Sequence, residues 1–117
     1  MYIFTREIKW TNMDNWKLKL RYGKLKTPYS HFTVMADGKT DNLNECFECP
    51  QGYAWMSMHV WATSTEQAAD MMSFVSNDIG FEIREGTKIL IYSTEPQKAP
   101  REEPFGYGIT FTPYQAE

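Results

Sequence analysis

The stretch from Trp55 to Tyr92 limits the folds open to this chain more than any other. Thr63, Ser64 and Thr65 offer hydroxyl N-caps, and Glu66 follows Thr63 by three residues, the spacing of a capping box. Ala68, Met71, Met72, Val75 and Ile79 then recur at three- and four-residue steps, which draws one apolar stripe along a helix. Asp70, Ser73, Asn77 and Asp78 fill much of the opposite side, and Gly80 supplies a left-handed stop. A helix over about 64–79 follows from these signals together.

Ahead of it, Ala54, Met56, Met58 and Val60 alternate with Trp55, Ser57, His59 and Trp61, the pattern of a strand with two distinct faces. The first set reads as the core face, lying under the helix. After Gly80, Phe81–Arg84 and Lys88–Tyr92 flank Glu85-Gly86-Thr87, which reads as a hairpin connection. A single amphipathic helix needs a sheet to lie on, and this unit begins to supply one.

The rest of the chain supplies more. Tyr2, Phe4, Ile8 and Trp10 share one parity and predict an opening strand; Thr11–Asn15 is turn chemistry. Trp16, Leu18, Leu20 and Tyr22 alternate with Lys17, Lys19 and Arg21, which predicts a second strand, paired with the first as a hairpin. Ser30–Ala36 reads as a third, closed by Asp37-Gly38, and Tyr107, Ile109 and Phe111 mark a last strand that Pro113 stops. Residues 37–53 and 93–104 read as long surface loops, the second stiffened by Pro96, Pro100 and Pro104. The expectation is one α+β domain over 1–117, a mostly antiparallel sheet of about six or seven strands with one main helix on one face.

Composition sets bounds on function. At 117 residues and 42% hydrophobic content the chain can bury a core without metal or disulfide staples. No apolar run approaches the roughly 18 residues of a membrane span, and no basic-then-apolar leader opens the chain, so a cytoplasmic protein without membrane contact is expected. Residues 1–40 hold eight Lys and Arg against three acids, and the remainder four against twelve. Such a split, if the halves face apart, makes a field able to steer a charged partner.

Four constellations bear on chemistry. Cys46 and Cys49 have CxxC spacing, but zinc needs two more ligands and no second CxxC exists, so no metal or cofactor is expected. The Trp55, Ser57, His59, Trp61 face places a general base between indoles able to wall a ligand; the plainer reading is a strand buried on both faces. Lys17, Lys19 and Arg21 could meet phosphates, yet a solvated edge uses Lys in the same way, and an isoelectric point near 5.4 argues against nucleic acid. Loop 93–104 carries Glu95, Glu102 and Glu103, complementary to a basic protein.

The runs TSTEQAADMMSFVSNDIGFEI, IYSTEP and PREEPFGYGITFTP resemble blocks of small uncharacterised bacterial cytosolic proteins. In architecture and acidic character the chain is also similar to immunity proteins of bacterial toxin–immunity pairs. That resemblance implies a non-enzymatic, protein-binding role, with a basic toxin as partner and its active site occluded. On this expectation Glu95, Arg101, Glu102, Glu103 and Tyr107 meet the partner. An alternative is a small enzyme or ligand-binding domain, with His59 and Ser57 as reacting groups and Trp55, His59 and Trp61 lining the site. A third is a structural homodimer that buries the sheet face the helix leaves free.

Overall fold

The computed structural model describes residues 16–22, 26–44, 47 and 49–115. Its elements are α1 (16–21), β1 (Ser30–Lys39), β2 (Tyr53–Ala62), α2 (Thr65–Ile79), β3 (Glu82–Ile83), β4 (Leu90–Ser93) and β5 (Phe105–Pro113). The strands form one antiparallel sheet in which β1 and β2 are central, β3 and β4 share the outer edge of β1, and β5 pairs with β2. The protein is thus α+β, with five strands among the described residues, not six or seven. Two expectations fail, of which only the first bears on the count.

The first is at 16–22, which is helical: the Tyr22 amide donates to the Leu18 carbonyl at 3.0 Å, an i to i−4 bond. Trp-Lys-Leu-Lys-Leu-Arg-Tyr alternates with strand period, yet it holds no β-branched residue and its Leu, Lys and Arg are strong helix formers. Propensity outweighs a short alternation. The predicted opening strand on Tyr2, Phe4, Ile8 and Trp10 lies outside the described residues, and its expected hairpin partner is helical.

The second is the expected hairpin at Glu85–Thr87. β3 and β4 do not pair with each other; both run antiparallel to β1, with Ile83 opposite Gly38 and Leu90 opposite Met35. They are two pieces of one edge strand, interrupted by an excursion over 84–89. The Thr87 hydroxyl donates to the Arg84 carbonyl at 2.7 Å and closes that excursion into a turn around Gly86.

β1 also runs three residues further than expected, through Asp37-Gly38. Gly38 has no positive φ and serves packing instead of turning. An added Cβ there would stand 2.7 Å from the Phe81 ring and closer still to the Glu82 carbonyl.

The helix follows its sequence signals closely, with one shift. Its N-cap is Ser64, whose Oγ accepts the Gln67 amide at 3.1 Å, while Gln67 Oε1 accepts the Thr63 amide at 2.7 Å. The cap is therefore Ser64 with Gln67, one residue on from the expected Thr63 and Glu66, and the Gln67 side chain returns to the amide of the residue before the cap. Gly80 ends the helix at φ 88°. Ala68, Met72 and Ile79 pack on Phe32, Val34 and Ala36 of β1 and on Ala54, Met56, Met58 and Val60 of β2, all buried. This is the core, and it occupies one face of the sheet.

The stretch that follows β1 docks on the helix C-terminus, where the Asn44 amide donates to the Ile79 carbonyl at 2.9 Å. No helix among the described residues is long and apolar enough to cross a membrane.

Candidate functional site

Side chains alternate across a strand, so a strand that sends Ala54, Met56, Met58 and Val60 to the core sends Trp55, Ser57, His59 and Trp61 to the opposite face. Pairing then adds neighbours: His31 stands opposite Trp61, Thr33 opposite His59 and Asp37 opposite Trp55, while Tyr107 of β5 stands opposite His59. Chemistry-bearing residues from three strands meet on the face that α2 does not cover.

At one end they form a closed hydrogen-bond network. His31 Nδ1 lies 3.0 Å from the Thr94 carbonyl and 3.1 Å from Thr94 Oγ1; its Nε2 lies 2.7 Å from the Tyr107 hydroxyl. A carbonyl only accepts, so Nδ1 carries the proton and Nε2 accepts from Tyr107. Tyr107 in turn accepts the Gln97 amide at 3.0 Å. Thr94 Oγ1 meets Thr33 Oγ1 at 2.9 Å, which meets His59 Nδ1 at 2.9 Å. Donation from Thr94 to Thr33 to His59 gives every hydroxyl hydrogen an acceptor, leaving the proton of His59 on Nε2.

His31 is 6% exposed and its pKa is held below the ordinary 6.5, first by burial and also by nearby His59, against the raising effect of the Thr94 carbonyl. Its ring centroid is 5.6 Å from that of His59, stacked, and 5.1 Å from that of Trp61, edge-on. Gly108, at φ 67°, makes this arrangement fit: it sits in the bulge where the β2–β5 register shifts, and a Cβ there would press to 2.9 Å of His59.

Over the same end lies the loop 94–104. Beyond Thr94 and Gln97, Trp61 Nε1 donates to the Lys98 carbonyl at 2.8 Å and the Tyr29 hydroxyl donates to the Glu102 carbonyl at 2.9 Å. Lys98 lies over the Tyr107 ring at 5.4 Å and Arg101 over the Phe105 ring at 4.0 Å. Glu95, Glu102 and Glu103 are exposed, and the one ion pair among the described residues is elsewhere, between Arg84 and Asp37. Glu95 and Pro96 border a hollow of about 120 Å³ whose other wall is Lys17, Leu20 and Arg21 of α1.

The other end of the face is built on Asp37. Its carboxylate accepts from Arg84 at 3.2 Å and, through a short bond, from the Tyr114 hydroxyl. That bond to Asp37 is the main reason the Tyr114 pKa is raised, and Arg84 is raised chiefly by its bond to Tyr114. Tyr53 stacks on Tyr114 and carries Lys39 and Arg84 over its ring at 5.2 and 5.1 Å.

The face therefore unites the two groups of site residues read from the sequence. Tyr107 belongs to the His31 network, and Arg101 is drawn over Phe105. Trp61 is 2% exposed, sealed by the loop; Trp55, Ser57 and His59 are half-buried, and Ser57 Oγ meets Thr110 Oγ1 at 3.3 Å. Cys49 is a free, half-buried thiol, Cys46 lies outside the described residues, and among those described no three His, Cys, Asp or Glu cluster to hold a metal.

Sequence reasoning missed His31, Thr33, Thr94 and Tyr114. His31 and Thr33 share parity in β1, but only the pairing of β1 with β2 and β4 reveals what they touch. No family model, no curated protein and no solved structure matches the chain. Fold and site together define an α+β protein whose open sheet face is roofed at one end by a hydrogen-bonded loop.

Proposed function

We propose that this chain is a non-enzymatic, cytosolic binding protein of the immunity type, which presents loop 94–104 to basic groups of a protein partner and so occludes that partner's active site. One observation carries the reading. The loop is tied to the sheet at Thr94, Gln97 and Lys98 and to Tyr29, just before β1, at Glu102, in each case through its backbone, while the carboxylates of Glu95, Glu102 and Glu103 stay exposed. A surface shaped before contact loses less conformational entropy on binding than a loop that must be ordered. Lys98 and Arg101 offset part of the charge but lie back over Tyr107 and Phe105, and among the described residues the three glutamates form no ion pair.

The ligand-pocket alternative is less well supported. Its wall at Trp61 is filled by the loop, and Ser57 turns to Thr110 instead of His59.

The test is capture of partners on the tagged protein from its native lysate, followed by association kinetics. Wild type should retain a basic protein stoichiometrically. Reversal of Glu95, Glu102 and Glu103 to Lys should slow association about tenfold or more, with a smaller effect at high salt. An acidic partner, or a basic one whose association rate ignores the three reversals, would contradict the proposal.

A further inference from the structure

His31 holds the loop by its backbone, whose carbonyl accepts the Thr94 amide at 3.2 Å, and by both nitrogens of its ring, of which Nε2 acts as an acceptor only while the ring is neutral. Its Nδ1 proton goes to the Thr94 carbonyl and its Nε2 lone pair takes the Tyr107 hydroxyl hydrogen. Tyr107 is simultaneously the acceptor for the Gln97 amide. A second proton on His31 would sit on Nε2 and point at the Tyr107 hydroxyl. That oxygen would then have to accept from both His31 and Gln97 and turn its own hydrogen away from the site, so the bond that Tyr107 donates to His31 is lost.

The surroundings offer the extra charge nothing. From β2 the facing titratable group is His59, stacked at 5.6 Å; from β5 it is Tyr107; from the loop it is Lys98, over the Tyr107 ring at 5.4 Å. Tyr92 of β4, opposite Thr33, is exposed. Glu95, next to Thr94, is exposed and borders the hollow lined by Lys17 and Arg21 of α1, and among the described residues no carboxylate bonds to either imidazole. A cation buried among these groups has a cationic lysine and a second imidazole for neighbours.

We infer that His31 is a pH-operated latch: protonation ends the bond that Tyr107 donates to it and leaves a buried charge, which releases the segment Thr94–Lys98 from the sheet, while the core on the other face stays folded. The segregation is built into the strand parity. His31, Thr33, His59 and Tyr107 lie on the face away from α2, whereas Phe32, Val34, Met58 and Val60 lie beneath it. Release would uncover Trp61, whose indole proton is bonded to the Lys98 carbonyl. The lowered pKa of His31 agrees in direction, since the folded state resists the second proton. Any effect on partner binding rests on the function proposed above; the latch itself does not.

The experiment is hydrogen exchange with NMR detection on the protein alone, from pH 7.5 down to about 4.5, alongside titration of the imidazole resonances. Protection at the Thr94 and Gln97 amides, corrected for the intrinsic rate, should fall about tenfold per pH unit between roughly 6.5 and the folded-state pKa of His31. Amides of β2 and α2 should keep theirs, and in His31→Gln the loop profile should be flat. A His59→Gln variant should retain the pH dependence. The latch is overturned by loop protection that persists while His31 titrates, by a loss that survives in His31→Gln, or by a loss shared with β2. Should His31→Gln fail to fold, the wild-type titration and exchange still decide. Partner capture repeated at acid pH reports separately on binding.

Discussion

Tyr107 joins β1, β5 and the loop through one oxygen, so removing that oxygen should be felt in all three. Tyr107→Phe leaves the buried His31 Nε2 without its partner, which costs about 1–3 kcal/mol, and frees the exposed Gln97 amide to water. Urea denaturation checks this; an unchanged midpoint would show the bonds to be replaceable. Protonation acts on the same network with a definite sign. Because the folded state lowers the His31 pKa, its contribution to stability is complete above about 6.5 and is lost as pH falls toward the folded value. Tyr114 has the opposite sign: its raised phenol pKa favours the fold below its ordinary 10, and the contribution is lost as pH rises through the folded value. Absorbance titration should show phenolate forming later in wild type than in Tyr114→Phe. His59 and Trp61 were legible in the sequence because they alternate within one strand. His31, Thr33 and Thr94 were not, because separations of 26 and 63 residues are closed only by the pairing of β1 with β2 and β4.

Helix α2 was readable almost to the residue, since cap, stripe and stop all lie within one local stretch. Met72 is fully buried between the helix and the sheet, and Met72→Ala should cost about 2–5 kcal/mol. Ser64→Ala should cost about 1 kcal/mol by removing the acceptor for the Gln67 amide. Thermal or urea unfolding of both variants tests the ranking, and a larger loss from Ser64→Ala would contradict it. The elements misread were those in which local and distant preferences diverge. Lys17, Leu18, Lys19, Leu20 and Arg21 have strand period but helix propensity, and the short alternation carried no β-branched residue to decide for the sheet. Asp37-Gly38 has turn composition, yet β1 continues through it because the glycine lets Phe81 and the Glu82 carbonyl approach. The excursion at 84–89 looks like a hairpin until β1 is seen pairing with both of its flanks.

The whole molecule divides its work between the two faces of one sheet. Beneath α2 lies an apolar layer that β1 and β2 fill with Val34, Ala36, Met56, Met58 and Val60. On the other side lie the ionisable and aromatic groups, arranged in two clusters around His31 and Asp37. The fold class was legible because it needs only element types and short connections. The interrupted edge and the roofing of one face by loop 94–104 were not, because they depend on which strands become neighbours. Binding through this loop requires it to be ordered before a partner arrives, and that is the point on which the account stands. Backbone ¹⁵N relaxation at pH 7.5 measures it directly. Order parameters for Glu95 to Glu103 should lie close to those of β2, about 0.85. Values below about 0.6 across the segment would mean that the loop is free of the sheet and that neither the proposed surface nor the latch exists as described.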